Sequence, residues 1–251
     1  MKVAVLADVH GNLEALAAVL EDLEKEGVDK VLFLGDAVGY GADPGACLEL
    51  LEKAACQWVA GNHDHAAAQD QEAIEDLHED AAAAILWTRG VLSPDARGRL
   101  RKLSLDSVNE EARLVHGSPW VPGKWQYVMS VQDAEKGFAA CENRVILVGH
   151  THIPAAYVEF ECRRLFTGVM RRIGQTDPTS VEIDPAHRYI LNVGSVGQPR
   201  DGDPRACYAL FDREAGSYAI RRIPYDVDRA SEKIRKAGLP VNLAERIKSG
   251  H

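Results

Sequence analysis

The chain has 251 residues, a formal net charge of −9, 27% charged and 46% hydrophobic residues. That is an ordinary globular composition, long enough to bury a core without disulfides or structural metal, and it excludes collagen-like, low-complexity and disordered classes. The acidic balance disfavours extended nucleic acid as a partner, because such binding needs a basic face.

Lys2 to Ala7 is a short apolar run suited to a buried strand. It is too short for the apolar region of a signal peptide, and nothing later approaches the roughly 18 apolar residues of a membrane span, so a cytoplasmic protein with no membrane partner is expected. After Asp8-Val9-His10-Gly11, Asn12 caps a helix in which Leu13, Leu16, Ala17, Leu20 and Leu23 recur at helical spacing, and Gly27 ends it. Val31 to Leu34 is the next strand, closed by Gly35-Asp36. A helix from Pro44 to Ala55 and a strand from Gln57 to Ala60 follow, ending at Gly61-Asn62-His63-Asp64. This β-α-β-α-β order implies parallel strands with right-handed crossovers.

Ala66 to Leu92 holds one long or two consecutive helices, and Ser93-Pro94 opens another that ends near Leu103. The second half turns to strands, at Ala112 to Val115, Arg144 to Val148, Ala155 to Phe160, Arg163 to Thr167, Ser180 to Ile183, Arg188 to Val193, Ala206 to Phe211 and Ser217 to Arg222. A helix near Val131 to Cys141 interrupts them, and Asp226 to Ile247 reads as two short helices. Gly90, Gly123 and Gly174 fall in loops. No repeat or composition shift marks a boundary, so one domain over 1–251 is expected. Cys47, Cys56, Cys141, Cys162 and Cys207 are scattered and form no C-x-x-C, which reads as reduced structural thiols.

Polar residues cluster where strands end. Asp8-Val9-His10, Gly35-Asp36 and Gly61-Asn62-His63-Asp64 close the first three strands, and His116-Gly117-Ser118 and Gly149-His150-Thr151-His152 close two later ones. In a parallel sheet these ends share one edge, where ligands bind. Asp8 and His10 are two apart, so an extended chain points both to one side. Of the nine histidines, five sit at these ends; His65, lying two residues past His63, is expected at a surface helix start. Imidazoles with a few carboxylates suit Mn, Fe, Co, Ni or Zn rather than Mg or Ca. The inventory is large enough for two ions, and Asp36 is the natural bridge because a carboxylate can offer one oxygen to each.

These blocks, in this order, resemble the calcineurin-like metallophosphoesterase superfamily, and Asn192-Val193-Gly194-Ser195 does too. Gly39-Tyr40-Gly41-Ala42-Asp43-Pro44, His116-Gly117-Ser118-Pro119 and the run from Gly197 to Arg205 resemble its small prokaryotic phosphodiesterase-like branch. The resemblance implies an α/β, four-layer αββα sandwich of two mixed sheets flanked by helices. It implies two divalent transition-metal ions, manganese foremost. One would be held by Asp8, His10, Asp36 and His152, the other by Asp36, Asn62, His116 and His150. His63 would stand near the leaving group as general acid, oriented by Asp64. A metal-bridging hydroxide would attack phosphorus, and the ions would leave the centre slightly positive, so an anionic phosphate is attracted despite the overall charge.

Protein Ser/Thr phosphatases of the same superfamily carry Gly-Asp-x-Val-Asp-Arg-Gly where this chain has Gly35-Asp36-Ala37-Val38-Gly39-Tyr40-Gly41. Tyr40 replaces the phosphate-gripping arginine, which weakens a phosphoprotein reading. Tyr40, Trp120 in the aromatic loop Ser118 to Val128, and Arg200 are the candidate substrate contacts; Arg205 shares the loop of Arg200, and a salt bridge to Asp201 or Asp203 is the competing use of either arginine. The expected function is a phosphodiesterase acting on a small nucleotide-type phosphate ester. The alternatives are a phosphomonoesterase, a dinucleoside polyphosphate hydrolase, and a non-catalytic scaffold that retains the fold. Oligomeric state is left open, a homo-oligomer included.

Overall fold

β1 (Lys2–Leu6) is buried from its second residue and runs into α1 (Leu13–Glu26). The Asn12 side chain caps α1 by accepting from the Ala15 amide, and Gly27 ends it in the left-handed conformation at φ 61°. β2 (Lys30–Phe33), α2 (Pro44–Lys53) and β3 (Gln57–Trp58) complete the expected series. α3 (Asn62–Ala68), α4 (Glu79–Val91) and α5 (Pro94–Leu100) follow, then β4 (Asp106–Val108), β5 (Arg113–Val115), α6 (Val131–Ala140) and β6 (Val145–Val148). The rest is β7 (Ala155–Cys162), β8 (Leu165–Arg172), β9 (Ser180–Glu182), β10 (Arg188–Asn192), β11 (Ala206–Asp212) and β12 (Ser217–Ile223), closed by α7 (Val227–Lys236) and α8 (Val241–Ser249). This computed structural model describes all residues except 55–56, 70–73, 75–76, 111, 163–164 and 173–179.

The strands form two six-stranded mixed sheets, ordered β3-β2-β1-β11-β12-β9 and β4-β5-β6-β10-β7-β8. β1, β2 and β3 are parallel, as are β5, β6 and β10. The inner faces of the sheets meet in a core that includes Val3, Val5, Leu114, Leu147, Leu191 and Phe211. Alternation explains the arrangement: Ala4 and Leu6 of β1 point the other way, into the core shared with α1 and α2. α6 covers the outer face of the second sheet through Ala134 and Phe138. The result is the expected α/β architecture of two mixed sheets flanked by helices.

Several boundaries differ from the sequence reading. The third strand is only Gln57–Trp58, and the helical stretch after it splits into α3 and α4, the latter carrying Gly90, which was expected in a loop. α3 begins at Asn62, four residues before the expected start, so Asn62, His63 and Asp64 form a helix's first turn rather than a strand-end loop. β4, an edge strand of three residues, has too little periodicity to be seen in advance. The strand expected from Arg163 to Thr167 is observed as Leu165–Arg172. Ala55, Cys56, Arg163 and Gly174 lie outside the described residues. Cys47, Cys141 and Cys207 are free thiols, as expected. Among the described residues no helix is long and apolar enough to cross a membrane.

Candidate metal centre

Asp8 follows β1, Asp36 follows β2, Asn62 follows β3, His116 follows β5, and His150 and His152 follow β6. All seven candidate ligands, His10 included, therefore lie past the C-terminal ends of parallel strands. Backbone hydrogen bonds carry the pairing beyond the strands: the amides of Asp8, His10 and Gly11 donate to the carbonyls of Gly35, Asp36 and Ala37, each at 2.9 Å.

Asp8 and His10 are not an extended pair. Both are left-handed, at φ 55° and 50°, as are Asp36, His150 and His152 at 61°, 68° and 60°. The chain leaves the sheet edge in tight left-handed turns, and these aim the side chains inward. Gly61 permits the close approach of two such loops, because a Cβ there would fall 2.0 Å from Asp36 Oδ1.

Among the described residues, two groups of donor atoms contain the expected ligands, and a third brings a ring nitrogen of His63 within 4.8 Å of donors on His10 and Asp36. In the first, Asp8 Oδ1 lies 3.7 Å from His10 Nε2 and 3.4 Å from His152 Nε2. In the second, His116 Nε2 lies 3.2 Å from Asp36 Oδ2 and 3.2 Å from Asn62 Oδ1. Asp36 Oδ2 is also 3.6 Å from His10 Nε2, so it stands between the groups. A ring nitrogen of His150 falls within 4.8 Å of the Asp36 and His116 donors.

The opposite ring nitrogens settle which atoms are free. Nδ1 of His10, His116 and His152 meets the carbonyls of Val38, Leu34 and Gln198 at 3.1, 2.8 and 2.6 Å. Each carbonyl accepts the ring N–H, which leaves a lone pair on Nε2 of His10 and His152, while His116 Nε2 faces the Asp36 and Asn62 oxygens. His150 is turned round: its Nε2 donates to the Trp125 carbonyl at 2.8 Å, leaving Nδ1 free. His10 Nε2 and His152 Nε2 thus face each other as two acceptors 3.2 Å apart. Asp8 Oδ1 and Asp36 Oδ2 are buried with no hydrogen-bond partner. Facing lone pairs and orphaned carboxylate oxygens repel unless a cation lies among them, so these residues fit divalent metal ions.

Electrostatics point the same way. Burial pushes His10 and His152 well below the usual imidazole range and His150 to about 3, favouring the neutral, ligating form. Burial also pushes Asp8 up to about 7. For Asp36 burial acts upward too, but the neighbouring histidines, His116 foremost, outweigh it and hold the carboxyl below its usual range. His116 answers at about 9, its own burial overcome by Asp36.

His63 and Asp64 are both buried on the first turn of α3, at 3% and 0% exposure. The expected contact between them is corrected. Successive helix positions diverge by roughly 100°, and the Asp64 carboxylate instead accepts the amides of Asp36, Ala37, Val38 and Gly61 at 2.8, 2.9, 3.3 and 3.3 Å. Asp64 therefore holds the Asp36 loop. Asp64→Ala would leave buried amides without an acceptor, each costing about 1–3 kcal/mol. Urea denaturation is expected to show a loss of at least about 3 kcal/mol, with weakened metal binding; an unchanged midpoint would refute the anchoring role. His63 Nδ1 is buried without a partner beside Gly39, where a Cβ would fall 2.3 Å away. Its ring lies between those of His10, at 4.8 Å, and Tyr40, at 4.3 Å, and burial holds its pKa down to about 4.

A seven-residue helix is marginal alone. α3 is pinned by arginines from α4 and the end of α5: Arg89, Arg97 and Arg101 donate to the carbonyls of Ala66, Ala67 and Ala68 at 2.7, 3.1 and 2.5 Å. Asn192, Ser195 and Gln198 are further supports that strand-end reading did not single out as site residues. Asn192 donates to the Gly149 carbonyl at 2.7 Å, and Ser195 to the Asp8 carbonyl at 2.8 Å. The signals for them were the resemblances of 192–195 and of 197–205.

Of the substrate candidates, Tyr40 lies at the centre, its ring 4.6 Å from His10, and Arg200 Cζ sits 5.9 Å from the Tyr40 ring. Arg205 pairs with Asp203, the competing use. Trp120 is not beside the ligands: its Nε1 donates to Gln126 at 2.7 Å and Lys136 of α6 lies over its ring. The same loop instead brings Trp125 to 6.1 Å from His116 and stacks Tyr127 on His150 at 4.2 Å and 11°. Gly123, at φ 83°, allows the turn that sends the chain back. His65 is half-buried, with its ring 5.8 Å from Trp125.

Residues 1–216 match the calcineurin-like phosphoesterase superfamily domain. The chain belongs to that superfamily. This calcineurin-like chain is 36% identical over 251 residues to the uncharacterised protein MJ0912 of Methanocaldococcus jannaschii, covering 98% of this chain and 96% of that one. It resembles the crystal structure of a metallophosphoesterase from Sphaerobacter thermophilus, with TM-score 0.84, 34% identity and coverage of 100% and 99%. The hypothetical protein PH1004 from Pyrococcus horikoshii OT3 shares the fold at TM-score 0.78 and 22% identity, with coverage of 100% and 98%. Calcineurin-like phosphoesterases are metal-dependent phosphoester hydrolases, and this chain carries Asp and His clusters able to hold metal.

Proposed function

We propose that the chain is a dinuclear metal-dependent phosphodiesterase acting on a small nucleotide-type diester in the cytoplasm. The supporting observation is the pair of donor groups meeting at Asp36, with Asp8 Oδ1 and Asp36 Oδ2 buried and unpartnered among histidines. Imidazole and carboxylate donors suit manganese, iron, nickel, cobalt or zinc, and the superfamily resemblance puts manganese first. Asp8, His10, Asp36 and His152 would hold one ion, and Asp36, Asn62, His116 and His150 the other. Bound there, the ions would supply Lewis-acid activation of water and neutralise phosphoryl charge.

The chain's own residues do the rest. His63, beside Asp36, would deliver a proton to the leaving oxygen once the negative charge of a bound phosphate raises its pKa from about 4. Arg200, with its Nε buried and unpartnered, meets a phosphoryl oxygen across the Tyr40 ring. Tyr127 is 47% exposed while stacked on His150, so its outer face is open to a nucleobase. Base–aromatic stacking contributes about 1–3 kcal/mol.

The test is to strip the protein with chelator and reload it separately with Mn, Ni, Co, Zn or Mg. Each form is assayed on bis(p-nitrophenyl) phosphate and p-nitrophenyl phosphate. Metal-restored turnover with the diester ahead of the monoester is expected. Monoester preference would make it a phosphomonoesterase, and bound metal without turnover would favour the scaffold.

A further inference from the structure

The hairpin of α7 and α8 lies beyond the residues matched by the superfamily domain, yet it packs directly against the candidate site. Three separate contacts join them. The first is apolar: Ala230, Ile234, Leu243 and Ile247 share a buried cluster with Tyr40 and with Ala81 and Ala84 of α4. Ile234 and Ile247 also line a small cavity whose opposite side is His10, Tyr40 and Gln198. The second is ionic: Lys233 Nζ lies 2.8 Å from Asp43 Oδ2 and 2.6 Å from Glu14 Oε1, which ties α7 to the loop carrying Tyr40 and to the start of α1. The third is backbone: the Gly202 amide donates to the Gly250 carbonyl at 2.8 Å, and Gly250 lies against Asp203. That join is two residues from Arg200.

Tyr40 shows why such support is needed. It is a bulky residue at φ 57°, in the left-handed region. A side chain persists there only when its surroundings over-determine it. The hairpin covers Tyr40 from behind, leaving it 9% exposed, and Arg200 lies over its ring while donating to Gln198 Oε1 at 2.9 Å. Both members of the Tyr40–Arg200 pair therefore depend on the same two helices, one through packing and the other through the Gly250 join.

We infer that the C-terminal hairpin is a positioning element of the substrate site: Ile234, Ile247 and Lys233 hold Tyr40 and its loop so that the Arg200 guanidinium is set to receive a phosphoryl oxygen. This rests on the proposed role of Arg200 as a phosphate contact. None of the hairpin residues touches substrate; they act through Tyr40 and Arg200.

The experiment uses full-length manganese-loaded protein, with inorganic phosphate as probe by calorimetry, metal content by elemental analysis, and KM and kcat on bis(p-nitrophenyl) phosphate. Ile247→Ala is expected to weaken phosphate binding and raise KM about tenfold, below the roughly hundredfold that a 1 Å misplacement can cost. Metal content and kcat stay near wild type, and Ile247→Val restores most of the loss. Arg200→Met weakens phosphate binding in the same direction. Leu23→Ala, in the buried face of α1, serves as the stability control and lowers the melting temperature without moving phosphate affinity. Should Ile247→Ala fail to fold, Lys233→Met is read in the same assays. Wild-type phosphate affinity and KM in the folded hairpin variants would overturn the inference. Phosphate binding that depends on Ile247 in a protein that hydrolyses neither ester would uphold it while the phosphodiesterase reading failed.

Discussion

Replacing His63 by alanine is expected to lower kcat by about 10²–10⁴-fold, the usual worth of general acid catalysis, while leaving the metal content unchanged. Two features separate this residue from the ligands around it. A ring nitrogen of His63 comes within 4.8 Å of the His10 and Asp36 donors, but its hydrogen bond to Asp36 is made by the backbone, whose amide donates to Oδ1 at 2.8 Å, and alanine keeps that amide. Its side chain is held by packing between His10 and Tyr40, with Nδ1 partnered by nothing. α3 is also pinned from its other end by Arg89, Arg97 and Arg101, so the helix should not shift. Elemental analysis beside steady-state kinetics checks the expectation. Equal loss of metal and turnover would make His63 a ligand or a structural residue and remove it from proton transfer.

Asp36→Ala is expected to do the reverse, emptying the centre first and abolishing turnover as a consequence. Loss of an outer partner of a ligand already costs roughly 10–100-fold in metal affinity, and Asp36 Oδ2 lies 3.6 Å from His10 and 3.2 Å from His116, nearer to His116 than Asp8 Oδ1 at 3.8 Å. The substitution also removes the acceptor for the His63 amide. Metal content after dialysis is the measurement. A variant that still carries two ions per chain would exclude Asp36 as the shared ligand.

The candidate ligands were legible because each lies just past an apolar run. Runs such as Val3 to Ala7 and Val145 to Val148 fix strand ends, and parallel pairing brings those ends to one edge. Backbone geometry was not legible in the same way. Alternation placed Asp8 and His10 on one side of an extended chain, whereas φ values of 55° and 50° bring them together by a different route. The resemblance implies that Asp64 orients His63, but a helix that starts at Asn62 separates neighbours in direction. In the aromatic loop, composition could not rank Trp120, Trp125 and Tyr127, because their roles depend on a turn at Gly123 and on contacts with α6. The supports at Asn192, Ser195 and Gln198, and the seating of Tyr40 on the C-terminal hairpin, join residues far apart in the chain. Local pattern carries no record of such contacts.

The left-handed turns at Asp8, His10, Asp36, His150 and His152 have a bearing on how this chain would change over generations. A non-glycine residue in that conformation costs roughly 1–2 kcal/mol. At each of these positions glycine would relax the backbone and delete the ligand in one step. A lineage released from the need for metal would therefore drift to glycine or asparagine here, before its apolar core altered. Relatives that kept the two sheets but abandoned the chemistry should be recognisable by glycines at these five places.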